Sequence, residues 1–189
     1  MLEQLLQLDT TLFTYLNQLG TPTWDAFWIF ITEKRNHIPL MVVLLFLVYK
    51  NQGLKPFLIG VVCIALMATW TDQVTNLIKY AIKRPRPCDV NALSETIRFI
   101  HKRCSSFSFF SGHSSNSMAV AVMIGCLISP KYQKLFIPLI IWAFCMGYSR
   151  IYIGVHYPID VIIGFIFGAL SGYGFYSLFL FLKNKLIKI

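Results

Sequence analysis

The chain alternates long apolar runs with short polar breaks, and the runs are longer than strands need. The run 38–49 (IPLMVVLLFLVY), the segment 56–82, the stretch from 112 to about 129, and the runs 134–148 and 157–181 each read as a helix crossing a bilayer. A crossing takes about 20 largely apolar residues, so the first run must borrow neighbours on either side. The breaks carry helix punctuation: NQGLKP at 51–56, the two prolines of KRPRPC at 83–88, and Pro130-Lys131.

The first 33 residues follow another pattern. Leu2, Leu5, Leu6, Phe13, Leu16 and Leu19 alternate with Glu3, Gln4, Asp9 and Asn17, and Gly20-Thr21-Pro22-Thr23 interrupts them before Trp24 and Trp28. Two short amphipathic helices at the membrane interface fit this pattern, with the tryptophans at headgroup level; one kinked spanning helix is the alternative. The expected fold is therefore all-α, a polytopic membrane helix bundle of about five transmembrane helices plus N-terminal interfacial helices. It forms a single domain over 1–189, with interfacial helices in 1–35, the bundle in 36–189, and site-bearing stretches at 79–113 and 149–160. No internal repeat is detectable.

Composition agrees with a membrane protein: 56% of residues are hydrophobic and 13% charged, against about 45–50% and about 25% in soluble domains. MLEQLLQLDTTLF lacks a basic leader and a cleavage site, so insertion is expected to be driven by the internal spans. The net charge of +9 suits anionic lipid or a phosphate-bearing substrate. Nucleic acid is disfavoured, because the aromatic residues lie in or beside apolar runs and do not alternate with basic ones. The expected partners are the bilayer and a membrane lipid.

Polar residues inside or at the mouths of spans are expensive to keep and point to function. Asp72, Asn76 and Lys79 follow at intervals of four and three, so they share one helix face, which should turn into the bundle. Ser149, Arg150, His156 and Asp160 stand between the last two runs. Five spans bring Lys79, His113, Arg150 and His156 to one membrane face. That face carries ten of the 17 Lys and Arg, but if Lys79, Arg86 and Arg150 are reserved for substrate the two sides hold seven each, and the charge rule fixes no orientation.

The chemistry suggested is phosphoryl transfer. Lys79, Arg86 and Arg150 supply three cations, and arginine's planar fork binds two oxygens at once. Ser111 and the Gly112 N–H stand at a helix start, where free N–H groups favour an anion. His156 and Asp160 are four apart, the spacing at which a carboxylate one turn along orients an imidazole and supports a histidine nucleophile. His113 is left as the acid for the leaving oxygen. A metal is disfavoured because these cations would repel it. Taken singly, each histidine reads as an interface residue and each cation as one reaching for headgroups; their convergence carries the enzymatic reading.

Lys79 with Arg86-Pro87, then Ser111-Gly112-His113, then Ser149-Arg150 with His156 and Asp160, resemble the three-part signature of the type 2 phosphatidic acid phosphatase superfamily. The resemblance covers Lys79 to Asp160. It implies a phosphohistidine on His156 supported by Asp160, His113 as acid, phosphate binding by Lys79, Arg86, Ser111, Gly112 and Arg150, and neither cofactor nor metal. It further implies the bacterial inner membrane with an extracytoplasmic site. The activity the resemblance implies is hydrolysis of a lipid phosphate or pyrophosphate by an integral-membrane phosphatase, on a substrate of the undecaprenyl pyrophosphate, phosphatidylglycerophosphate or phosphatidic acid type. Phe110 departs from the pattern, which has proline there, and this bears on the shape of the substrate entrance. A vanadium-dependent haloperoxidase-like enzyme and a non-catalytic headgroup-binding scaffold are the competing classes.

Arg98, His101, Lys102 and Arg103, in the long connection 83–111, are candidates for headgroup selectivity or form a solvated basic patch. Cys88 and Cys104 lie in the same connection and pair if that face is oxidising. Cys63, Cys126 and Cys145 fall in apolar runs and read as core residues.

Overall fold

A computed structural model describes residues 1–101, 103–104, 107–128 and 132–187. Lys102 and the predicted break at Pro130-Lys131 therefore lie outside the described residues. Among the described residues seven α-helices follow in order: α1 (Leu2–Gln18), α2 (Pro22–Thr32), α3 (Ile38–Gln52), α4 (Leu54–Ile82), α5 (Gly112–Ile128), α6 (Phe136–Tyr152) and α7 (Pro158–Leu186). No strand occurs among the described residues.

Prolines and glycines set several boundaries. Pro22, Pro39 and Pro158 stand in first turns, where a missing N–H costs nothing. Gly53 closes α3 at φ +77°, and Pro85 and Pro87 prevent α4 from continuing.

Helix α5 is the hub, packing against α3, α4, α6 and most extensively α7. It is buried on nearly every side, which explains why its apolar and small residues show no single stripe. Its closest neighbour is admitted by a row of small residues. A Cβ on Gly164, Gly168 or Gly172 of α7 would press on the backbone oxygens of Ser111, Ser115 and Ala119. Glycine at every fourth residue thus draws the two backbones together and brings the start of α5 against the start of α7.

Three helical stretches are long and apolar enough to cross a membrane: Leu54–Leu93, which is α4 with the turns after it, Gln133–Tyr152, which is α6 with the 3₁₀ turn before it, and Pro158–Leu186, which is α7. The 15 residues of α3 and 17 of α5 give lengths of about 22 and 26 Å, short of a hydrocarbon core of about 30 Å. The structure thus supports an all-helical integral membrane bundle with three spanning helices by length and composition, where the sequence pattern suggests about five.

The N-terminal helices lie against the end of the bundle where the polar residues gather. α1 turns Asp9, Phe13 and Asn17 inward, at intervals of four, and exposes Leu2, Leu5, Leu8 and Leu12. The Asn17 amide donates to the carbonyls of Arg98, Ile151 and Tyr152 at 2.9–3.1 Å, and its oxygen accepts from the Arg98 N–H at 2.7 Å. One buried side chain so fastens α1 to the long connection and to the end of α6.

Candidate active site

At that end of the bundle a cavity of about 280 Å³ opens, walled by six elements. α4 contributes Asp72, Thr75, Asn76 and Lys79; the following break, Arg86; α5, Gly112 and His113; α6, Arg150; and the α6–α7 turn, His156. Lys34, from the 3₁₀ turn between α2 and α3, completes the wall.

The backbone explains how His156 reaches this place. Gly154 takes φ +84° just after α6, and its Cα packs so closely on the Arg98 carbonyl that a side chain there would collide. The chain then folds back on α6, with the N–H groups of Val155 and His156 donating to the Arg150 carbonyl at 3.0 and 3.3 Å. His156 is consequently buried, with its ring in the cavity wall.

Asp160 stands behind the imidazole, its Oδ2 3.5 Å from His156 Nδ1. Ser108 lies between them: its hydroxyl donates to Asp160 Oδ2 and its oxygen is 3.4 Å from His156 Nδ1. With the serine proton committed to the carboxylate, Oγ is left to accept from Nδ1–H, and Nε2 keeps the lone pair. Asp160 also accepts from the Tyr157 N–H at 3.0 Å and from Arg84 Nη1 at 2.8 Å. Arg84 Nη2 donates to Asp9 at 2.7 Å, and its guanidinium stacks 3.9 Å over the Tyr157 ring. Asp9 in turn accepts the Ile159 N–H at 2.9 Å, one of the first-turn donors of α7.

His156 stands outside the spanning helices. Burial, reinforced by the charges of Arg86, Lys79 and Arg150, holds its pKa well below the usual 6.5. The ring is accordingly neutral at physiological pH, the form in which a lone pair is available.

Arg150 is buried and donates through Nη1 to Thr32 Oγ1 at 2.6 Å, which fixes it from the end of α2. Lys79 is buried, and Asp72, on the same helix face, accepts from Asn116 at 2.6 Å. The break after α4 is pinned at both ends: the Ser108 N–H donates to the Arg84 carbonyl at 2.8 Å, and Cys88 and Cys104 are joined by a disulfide with a Cα–Cα distance of 5.9 Å. Cys63, Cys126 and Cys145 are free thiols.

Eight residues singled out in the sequence, Asp72, Asn76, Lys79, Arg86, Gly112, His113, Arg150 and His156, therefore line one cavity, with Asp160 immediately behind. Ser111 does not reach it. Its hydroxyl accepts from the Ser114 N–H and Oγ at 3.4 and 2.9 Å, and its own N–H donates to the Asp160 carbonyl at 3.0 Å, so it closes the first turn of α5 against α7. Arg98 pairs with Asp25 of α2 at 2.9 Å. His101 borders a second cavity beside the first, and Arg103 is exposed and borders neither. Phe110 is buried against Phe167.

Sequence reasoning passed over Arg84, Asp9, Ser108, Thr32 and Lys34. A usable signal existed for Asp9, the one acidic residue on the Phe13 and Asn17 face of α1. For Arg84 the proximity of Arg86 hid the division of labour, since spacing alone cannot say which arginine meets the cavity.

Residues 57–183 match the family model described as the PAP2 superfamily. The chain is 34% identical over 189 residues to a lipid A 4'-phosphatase of Bacteroides thetaiotaomicron, covering 98% of this chain and 81% of that one. It is 29% identical over 168 residues to an undecaprenyl-diphosphatase of Sulfolobus acidocaldarius, covering 88% and 76%. Its fold is similar to the crystal structure of a transmembrane PAP2 type phosphatidylglycerolphosphate phosphatase from Bacillus subtilis, with a TM-score of 0.74, 22% identity, and coverage of 98% of this chain and 88% of that one.

Proposed function

The chain belongs to the PAP2 superfamily, and from that premise we propose that this integral-membrane lipid phosphatase works through a phosphohistidine on His156. The observation that carries the reading is a buried imidazole, backed by Ser108 and Asp160, in a cavity walled by Lys34, Lys79, Arg86 and Arg150. The cations neutralise the equatorial oxygens, and arginine forks and the Gly112 backbone at the start of α5 orient them.

In the first step His156 attacks phosphorus, a P–N bond forms, the P–O bond to the lipid breaks, and His113 gives its proton to the departing oxygen. In the second step His113 takes a proton from water, the oxygen attacks phosphorus, the P–N bond breaks, and phosphate leaves. The imidazolium formed on His156 is stabilised through Ser108 and Asp160.

Two shorter helices complete a five-crossing topology on this reading, α3 and α5 spanning within a bundle that α4, α6 and α7 surround. The alternating direction of α3 to α7 supports it, since the N-terminal ends of α3, α5 and α7 and the C-terminal ends of α4 and α6 all meet at the cavity. α1 and α2 lie along the interface with their exposed leucines and aromatic residues in the headgroup boundary. The Cys88–Cys104 disulfide beside the cavity favours an oxidising, extracytoplasmic face of the bacterial inner membrane. The relatives' names make a lipid A-type phosphate and a polyprenyl diphosphate the first substrates to test, ahead of glycerophospholipid phosphates.

The test is phosphate release in detergent from lipid A, undecaprenyl diphosphate, phosphatidylglycerophosphate and phosphatidic acid, wild type beside His156→Ala. Release from at least one lipid, lost in the variant with the protein still inserted in membranes, is expected. A His156→Ala enzyme as active as wild type would sink the mechanism, and no release from any lipid would sink the function.

A further inference from the structure

We propose that Lys34, Arg35 and His101 form a second anion subsite opening off the phosphate cavity, which holds a second negative group of the same headgroup, as in a lipid diphosphate. The inference rests on the phosphatase reading above and adds to it the class of headgroup.

A second cavity, of about 360 Å³, adjoins the first. Lys34, His113 and Arg150 border both, so the two chambers share a wall. The remaining border of the second comes from Thr32, Glu33, Arg35 and His101. A single phosphate in the first chamber can be met by Lys79, Arg86 and Arg150, so Lys34, which borders both chambers, is free to act with Arg35 and His101 around the second. Glu33 is the one carboxylate bordering it among the described residues, and its Oε1 lies 3.5 Å from the Arg35 N–H of its own turn.

The shared wall holds a fixed cation: Arg150 borders both chambers, and its Nη1 is held by Thr32 Oγ1 at 2.6 Å. His101 is held through Nδ1, which lies 3.0 Å from the Arg103 carbonyl and 3.3 Å from its N–H. The other ring nitrogen, Nε2, is left for a ligand in either tautomer.

The two segments that build the subsite are far apart in the chain and firmly joined. Arg98, three residues before His101, is paired with Asp25 of α2, and Cys104, three residues after it, is bonded to Cys88. The subsite therefore exists before a ligand arrives, which lowers the ordering cost of binding. Its outer members, Lys34 and Arg35, are exposed, so the second group sits on the solvent side of the first.

The experiment uses two non-hydrolysable probes, methylphosphonate and methylenediphosphonate, as competitive inhibitors of phosphate release from phosphatidic acid by the purified full chain. In wild type the diphosphonate should bind roughly 30-fold more tightly, and Arg35→Gln/His101→Gln should remove about tenfold of that preference. Arg35→Glu, at an exposed position, should remove at least as much by itself. Lys50→Gln, at the far end of α3, should keep the wild-type ratio and so excludes a general loss of positive charge. A wild-type ratio near one, or a preference that survives both Arg35 variants, overturns the subsite while leaving the phosphatase reading intact. Inhibition by methylphosphonate with a Hill slope near two would assign the chamber to a free anion and overturn the headgroup assignment. No phosphate release from any lipid defeats the underlying function.

Discussion

Arg84 and Asp160 form a partly buried ion pair, Nη1 to Oδ1 at 2.8 Å, that ties the break after α4 to the first turn of α7. The same guanidinium holds Asp9 of α1 at 2.7 Å, so the carboxylate behind His156 is positioned by a helix at the opposite end of the sequence. Both carboxylates are inaccessible to solvent, and together with Arg84 they form a three-member network. Such a network is highly sensitive to the loss of one member, because a buried charge is then left without its partner.

Arg84→Gln is therefore expected to lower kcat by about 10- to 100-fold and to destabilise the fold by about 3 kcal/mol. Asp9→Asn should cost stability with a smaller loss of kcat, since Arg84 then keeps Asp160. Thermal unfolding in detergent beside single-turnover phosphate release checks both. Equal kcat losses in the two variants would refute the view that Arg84 acts through Asp160.

The sequence made the cavity-lining groups legible for a physical reason: charged and hydrogen-bonding residues in apolar surroundings have few places to go except inward. That logic located Lys79, Arg86, His113, Arg150 and His156. For Ser111 it gave no side-chain direction, because adjacency in sequence to Gly112 and His113 says nothing about which way a hydroxyl turns, and here it turns back onto Ser114. It was silent about Lys34 and Thr32, which meet the site only because α1 and α2 fold across the mouth of the bundle. It gave no sign that α5, a 17-residue helix, is enclosed by its neighbours. The glycines at 164, 168 and 172 were readable as a close-packing row, but only the folded chain identifies α5 as the helix they admit.

Gly168→Ala tests that row. The added methyl would stand against the Ser115 carbonyl, a backbone atom that cannot swing away, so α5 and α7 must separate. Overpacking of this kind costs about 1–3 kcal/mol, and the start of α5, with His113, moves relative to His156. A lowered thermal midpoint together with reduced kcat is expected. Gly174→Ala, where a Cβ meets nothing within 4 Å, is the matched control and should leave both unchanged.

Cys88 and Cys104 close a loop with a sequence separation of 16 that carries Arg98 and His101. A crosslink over that length stabilises the folded state by about 3 kcal/mol on the chain-entropy account. Cys88→Ser/Cys104→Ser should therefore unfold at lower temperature and bind its substrate more weakly. Both thiols should resist labelling in intact cells until reductant is added. Ready labelling without reductant would place this face of the protein on the reducing side of the membrane.

His156 offers the most direct reading of the site's electrostatics. Its pKa is held well below 6.5 by burial first and by Arg86, Lys79 and Arg150 second. The nucleophile must be unprotonated, so the acid limb of kcat/KM should lie below pH 6.5 in wild type. Removing a positive neighbour makes the imidazolium less unfavourable and raises the pKa, so Arg86→Gln should shift that limb upward towards 6.5 besides lowering the plateau. A role for Arg86 confined to holding phosphate would lower the plateau and leave the limb in place. A pH profile of kcat/KM for the two enzymes, taken on a lipid whose phosphate titrates identically in both assays, separates these outcomes.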